Sequence, residues 1–194
     1  MDPLPPFPRL TGTADVSVRP AVPADAADVA RVQETAWQAM TAAALPAAVL
    51  DSWDAAAAAA SWRTAIASPP TPGHGVLVAV DDGRVVGFAA YAPAELGPDE
   101  RPHPAGPSTE LAVLLVEPRW GRRGHGSRLL AAVADLTRST GVARLQTWVA
   151  EADAVTGGFL ESAGWDRDGW VRTLDAGGVP LRETRWHALL EGTA

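Results

Sequence analysis

The stretch from Leu111 to Leu136 constrains the fold most. Leu111 to Val116 is an apolar run of strand length that stops before Pro118. Glycines follow at Gly121, Gly124 and Gly126, and then Leu129, Leu130, Val133 and Leu136 recur at helical spacing. Ala143 to Val149 reads as another strand, closing a strand–helix–strand unit begun at Leu111. Such a unit needs a sheet with helices packed on it. The turn at its centre is also an anion site. A helix start offers unpaired N–H groups and the positive end of a dipole. Glycines let that backbone approach a phosphate with no Cβ in the way. Arg122, Arg123 and Arg128 add charge that pairs with phosphate, and His125 and Ser127 sit in the same turn. The alternative is a glycine-rich turn that only packs.

The glycine order excludes two phosphate sites. A dinucleotide fingerprint reads G-x-G-x-x-G, and here the order is G-x-x-G-x-G. A Walker A loop requires a lysine, and the chain has none. It also has no cysteine, which removes disulfides and a thiol nucleophile. The four histidines are scattered without metal-ligand spacing. A net charge of −7 argues against nucleic acid and suits a cationic substrate. No apolar run approaches the ~18 residues of a membrane span, and residues 1–14 read as a loose proline-rich tail. All sixteen basic residues are arginine. That bias, with abundant Ala, Gly and Pro, points to a GC-rich bacterial genome, and a cytoplasmic location is expected.

The remaining pattern orders the elements. Val16 to Arg19 alternates as a strand, and Pro23 opens a helix with Val29, Val32, Ala36, Trp37 and Met40 on one face. A second helical region runs from Pro46 to the prolines at 69–72. Val76 to Val80 and Val85 to Tyr91 form a hairpin around Asp81-Asp82-Gly83. Pro93 to Ser108 is a long loop, functional or a surface insertion. Asp153 to Ala163 is a short helix ending at Gly164. Trp165 to Leu174 and Pro180 to Leu189 make a final antiparallel pair. The expected order is β, α, α, β, β, β, α, β, α, β, β, an α/β chain in which residues 15–190 form one domain.

The segment Val116-Glu117-Pro118, followed by Gly121, Gly124 and Gly126, resembles the acyl-CoA motif of the GNAT superfamily of N-acetyltransferases. That motif is [QR]-x-x-G-x-[GA] after a strand ending V-x-P, and Gly121 replaces its Gln or Arg. The resemblance covers about Val16 to Leu189. It implies a GNAT fold: a mixed, mostly antiparallel, splayed sheet with helices on both faces. It also implies acetyl-CoA as co-substrate, an amine acceptor, no membrane partner and a homodimer as one option. The pyrophosphate would lie on the turn from Gly121 to Arg128, and the pantetheine along Leu114, Leu115 and Val116. An oxyanion donor is expected from the backbone of that same stretch.

Acetyl transfer to an amine needs a proton acceptor. An alkyl amine has a pKa near ~10.4, so deprotonation at pH 7 costs on the order of 4 kcal/mol. Glu110, at the start of the central strand, is the first candidate base, with a surface carboxylate as its alternative. Glu117 is a poorer one at the strand's other end. Glu95, Asp99 and Glu100 in the long loop attract cations or are merely solvated. The family's second motif, N-x-x-A-x-x-F-Y-x-x-x-G-F, aligns with Asp153, Thr156, Phe159, Leu160, Gly164 and Trp165. Asp153 stands where the family's asparagine contacts the cofactor, and Leu160 where its tyrosine protonates the thiolate. Tyr91, the only tyrosine, is the remaining acid candidate or else a strand-edge aromatic. Trp37 and Trp148 line the acceptor pocket or pack the core. Leu160 and Asp153 also leave open a non-catalytic acyl-CoA-binding domain.

Overall fold

The computed structural model describes residues 16–41, 44–97 and 99–190. The expected tail, residues 1–14, lies outside them. Seven strands form one sheet in the order β1-β2-β3-β4-β5-β7-β6. They are β1 (Val16–Pro20), β2 (Gly75–Asp81), β3 (Arg84–Pro93), β4 (Ser108–Val116), β5 (Arg144–Ala150), β6 (Asp166–Asp175) and β7 (Pro180–Leu189). Every neighbouring pair is antiparallel except β4 and β5. That one parallel pair is the crossover expected around the glycine turn.

Five helices flank the sheet: α1 (Ala26–Gln38), α2 (Ala47–Asp51), α3 (Ala55–Ala67), α4 (His125–Ser139) and α5 (Ala154–Ser162). The second helical region is therefore two helices. Asp54 starts the second of them, its Oδ1 accepting from the N–H groups of Ala56 and Ala57 at 2.9 and 3.0 Å. The hairpin turn between β2 and β3 has Asp82 at φ 48° and Gly83 at φ 73°, the paired left-handed residues that match strand twist.

Strand alternation sends successive side chains to opposite faces. Leu77, Ala79, Ala89, Leu111, Leu145 and Val149 face Leu129, Leu130 and Val133 of α4 and Leu160 of α5. Val78, Phe88 and Leu115 face the other way, against Val29, Val32 and Ala36 of α1, with Trp62 of α3 beside them. Leu129 and Val133 are fully buried. Each contributes about 1.5–3 kcal/mol of burial, which pins the start of α4 and hence the glycine turn. Among the described residues no helix is long and apolar enough to cross a membrane.

Candidate active site

The glycine turn presents backbone donors. Arg122 (φ 59°) and Gly124 (φ 79°) adopt left-handed conformations that fold the chain into the helix start. The first N–H to bond backward in α4 is that of Arg128, to the Gly124 carbonyl at 3.0 Å. Among the described residues, the N–H groups of Arg122 to Ser127 have no hydrogen-bond partner. They form the set of orphan donors an anion satisfies. Arg128 folds back and donates to the Arg123 carbonyl at 3.0 Å, and Arg123 lies 4.8 Å from the centre of the Trp120 ring. Gly126 is wedged between two elements: a Cβ there would lie 3.6 Å from the Phe159 ring and 3.7 Å from Leu114. The turn thus touches both β4 and α5.

The ring of His125 turns away from the donors of the turn it sits in. It is 1 % exposed. Its Nε2 lies 3.1 Å from Asp81 Oδ2, but off the hydrogen-bond direction, so neither ring nitrogen has a partner. The reason is helical: positions 125, 129 and 133 share the buried stripe of α4. Only the backbone N–H of His125 joins the row of unpaired donors.

The second feature is a split in the sheet. β4 pairs with β5 over three rows only, ending at Glu110 opposite Gln146. Beyond that row β5 continues against β7 as far as Ala150, while β4 continues against β3 as far as Val116. The two strands diverge, and the outer edge of β4 from Ala112 to Val116 has no strand partner among the described residues. Ala112 is bulged out between the Leu111–Tyr91 and Val113–Ala90 rows, just before the Leu114–Val116 stretch from which an oxyanion donor is expected. Leu111 lends its carbonyl to the Thr147 hydroxyl at 2.7 Å, which ties the two strands at the apex. Leu114, Leu115 and Val116 line the free edge.

Glu110 stands at that apex. Its Oε2 accepts from Gln146 Nε2 at 3.4 Å. Gln146 Oε1 accepts from Arg144 at 3.1 Å, and Arg144 also pairs with Asp168. Asp168 takes a second guanidinium, Arg185, at 2.7 Å, and Arg185 reaches Glu100 of the long loop at 2.6 Å. Glu100 is therefore spent on a buried arginine and is no free bait for a cation. This network was not read from the sequence, although Arg144, Gln146 and Trp148 alternate with the core residues Leu145 and Val149. That alternation is the signal that a polar face lay opposite the core.

Tyr91 does not join Glu110. It pairs with Leu111 across β3 and β4 and packs with the α4 core, so it points to the opposite face of the sheet. There it lines a cavity of about 240 Å³ with Ile66, His74 and Leu136. A Cβ on Gly75 would lie 2.4 Å from its hydroxyl, so that glycine makes room for the ring. Burial raises its pKa, which further weakens it as an acid for a leaving thiolate. Trp148 does share the face of Glu110. Its π system already engages Arg172 at 4.5 Å and Arg185 at 5.6 Å, which leaves it less ring surface for an acceptor. Trp37 packs edge-on to Trp53 at 5.2 Å, and a Cβ on Gly177 in the β6–β7 turn would lie 2.8 Å from Ala48 of the adjoining α2.

Both altered positions of the second motif are occupied structurally. Asp153 caps α5, accepting from Thr156 N–H at 3.0 Å and from its hydroxyl at 2.6 Å. Leu160 is 2 % exposed, inside the core. A cavity of about 370 Å³ lies on the far flank of α5, between Gly157, Glu161, Thr184 and Trp186. No residue of the glycine turn lines it, so the turn and the strand split define the site instead. Glu117 is a structural hub. Only 1 % exposed, it pairs with Arg31 of α1, Arg119 at 2.8 Å and Arg84 at 3.5 Å.

A sheet split at one parallel pair, with a donor-rich helix start below the split, is the architecture of an acyl-transfer fold. Residues 33–165 match the model of the acetyltransferase (GNAT) family, and the chain belongs to that family. A comparison with curated protein sequences finds no match. Solved structures share the fold. A putative GNAT acetyltransferase from Desulfovibrio desulfuricans is 23% identical with a TM-score of 0.66, over 91% of this chain and 99% of that one. The yncA putative acetyltransferase of Salmonella typhimurium, solved with its cofactor acetyl-CoA, is 20% identical with a TM-score of 0.66, over 93% and 97%. The ribosomal-protein-alanine N-acetyltransferase of Brucella melitensis is 22% identical with a TM-score of 0.67, over 90% and 99%.

Proposed function

We propose that this protein transfers an acetyl group from acetyl-CoA to a primary amine, by direct attack within a ternary complex. One observation carries the reading: Glu110 sits at the apex of the β4–β5 split, on the same strand that leads to the glycine turn. The N–H groups of Arg122 to Ser127, with the Arg122 and Arg123 side chains, would hold the pyrophosphate. The free edge of β4 would pair with the pantetheine amides like a short added strand. Acetyl-CoA supplies an acetyl group activated as a thioester, and the amine gains a C–N bond as the C–S bond breaks. Glu110 takes the proton from the ammonium, directly or through a water. A backbone N–H near the Ala112 bulge faces the developing oxyanion. No acid stands where the family's tyrosine would be, and the thiolate, of pKa near ~8.5, leaves without one.

The acceptor's charge follows from pairing. Arg144, Arg185, Arg172 and Arg182 each have a carboxylate partner on this half of the sheet. Glu110 has only the long Gln146 contact among the described residues. A cationic amine is therefore favoured there over an anion. Apolar exposure at Trp170, Val171, Leu174 and Val179 supports a homodimer through β6 and its turn, which light scattering checks.

The capped Asp153 and buried Leu160 favour the second reading, a non-catalytic acyl-CoA-binding domain. Thiol release from acetyl-CoA, followed across amines, amino acids, peptides and aminoglycosides, separates the two. Tight CoA binding with no release for any acceptor rejects the transferase. Release that is unchanged in Glu110→Gln rejects only the base.

A further inference from the structure

A row of polar residues crosses the sheet at the apex of the split. Glu110 on β4 is in register with Gln146 on β5, Gln146 with His187 on β7, and His187 with Asp166 on β6. Register partners share a face, so all four lie on the side of the sheet where Glu110 works. His187 is half-buried, and its Nδ1 is enclosed with no hydrogen-bond partner. A buried ring nitrogen without a partner is costly and calls for a reason. Nothing in the reading above uses this residue.

We propose that His187 is the exit for the proton lost by the amine: water over Gln146 carries it from the Glu110 apex to the imidazole, which returns it to solvent. The inference rests on the acetyl-transfer reading. Neighbouring strands lie about 4.8 Å apart, so Glu110 and His187 are separated by on the order of 10 Å. That is too far for direct transfer and is a span that ordered water bridges. The Gln146 amide is already held by Glu110 and Arg144, so it orients the row without carrying the proton.

The surroundings keep the ring neutral at pH 7. Burial, and then the Arg144 guanidinium, push its pKa below the ordinary value, and His103 of the long loop acts in the same direction. Asp168 and Asp166 of β6 oppose them more weakly. Arg185 on its own strand, Glu100 on the loop and Glu110 on β4 complete the charged groups around this row. Glu100 is already paired with Arg185. A neutral imidazole has a ring nitrogen free to accept a proton.

The transfer is balanced. The ammonium N–H breaks and Glu110 takes the proton; Glu110 passes a proton through water to an imidazole nitrogen and is left as carboxylate, and the imidazolium releases one proton to solvent.

The test uses the full chain, acetyl-CoA and any amine it acetylates. His187→Gln should lower kcat by 10-fold or more at pH 7, with KM for acetyl-CoA unchanged. The wild type should show an acid limb in kcat below about pH 6.5, absent in His187→Gln. Free imidazole should restore at least several-fold activity to His187→Ala. An unchanged kcat in His187→Gln overturns the proposal. So does a loss that is equal at every pH and is not relieved by imidazole, because that is a structural role. If His187→Gln does not fold, the wild-type profile decides: no acid limb below about pH 6.5 overturns the proposal. Wild type that releases no thiol with any amine overturns the acetyl-transfer reading and this one with it.

Discussion

Glu117→Gln tests whether the glutamate just past the end of β4 is structural or chemical. The side chain is 2 % exposed and holds Arg31 from α1, Arg84 from β3 and Arg119 from the turn after β4. Removing it leaves three guanidinium groups facing one another. Breaking a buried ion pair by deleting one partner costs about 3–5 kcal/mol. The arginines are 32%, 45% and 59% exposed, so water recovers part of their hydration once the carboxylate is gone. The expected cost is therefore reduced to the bottom of that range or below it, about 2–3 kcal/mol. For a chain of this length that is a Tm drop of about 4–12 °C. Differential scanning calorimetry measures it, with acetyl transfer assayed well below the melt. Transfer at that temperature should fall far less than in Glu110→Gln. A Tm within about 1 °C of wild type, or a loss of transfer equal to that of Glu110→Gln, refutes the structural assignment.

Other expectations follow from named contacts. Asp25 accepts both Arg19 guanidinium bonds, at 2.7 and 2.9 Å, and the Val22 N–H at 2.8 Å, tying α1 to β1. The Arg19 hydrogen bonds chiefly hold its pKa below the ordinary value. Its contribution is thus full above the unfolded value near ~3.9 and is lost as pH falls through the lower folded value. Melts of wild type and Asp25→Asn should differ at pH 7 and converge below about pH 3; a constant gap refutes the linkage. Gly124→Ala should cost about 1–2 kcal/mol, because Gly124 is left-handed, and should weaken CoA binding by calorimetry. Gly126→Ala should change neither, because its new contacts stay at 3.6 Å or beyond. Leu160→Tyr, which restores the family's residue, should lower Tm without raising kcat, since the position is inside the core. A higher kcat at unchanged Tm would place that side chain in the cleft.

The elements were legible because each carried local signals: periodicity for α1 and α4, the Asp81-Asp82-Gly83 turn for the hairpin, Gly164 for the end of α5. The glycine order and the V-x-P strand end likewise carried the resemblance to the family, because glycines between a strand and a helix start leave a local mark in the sequence. What the sequence by itself determined is therefore the strand–turn–helix unit, its family and the sheet that carries it. Tertiary structure decided the rest. The side chain of His125 belongs to the core, a consequence of its helical phase with Leu129 and Val133. Tyr91 and Glu110 lie in adjacent rows yet on opposite faces, because Tyr91 pairs with Leu111 and strand alternation turns Leu111 and Glu110 to opposite sides. Glu110, Gln146 and His187 become one row only through the pairing of β4 with β5 and of β5 with β7. Such pairing joins residues far apart in the chain, and it leaves no mark within any one strand.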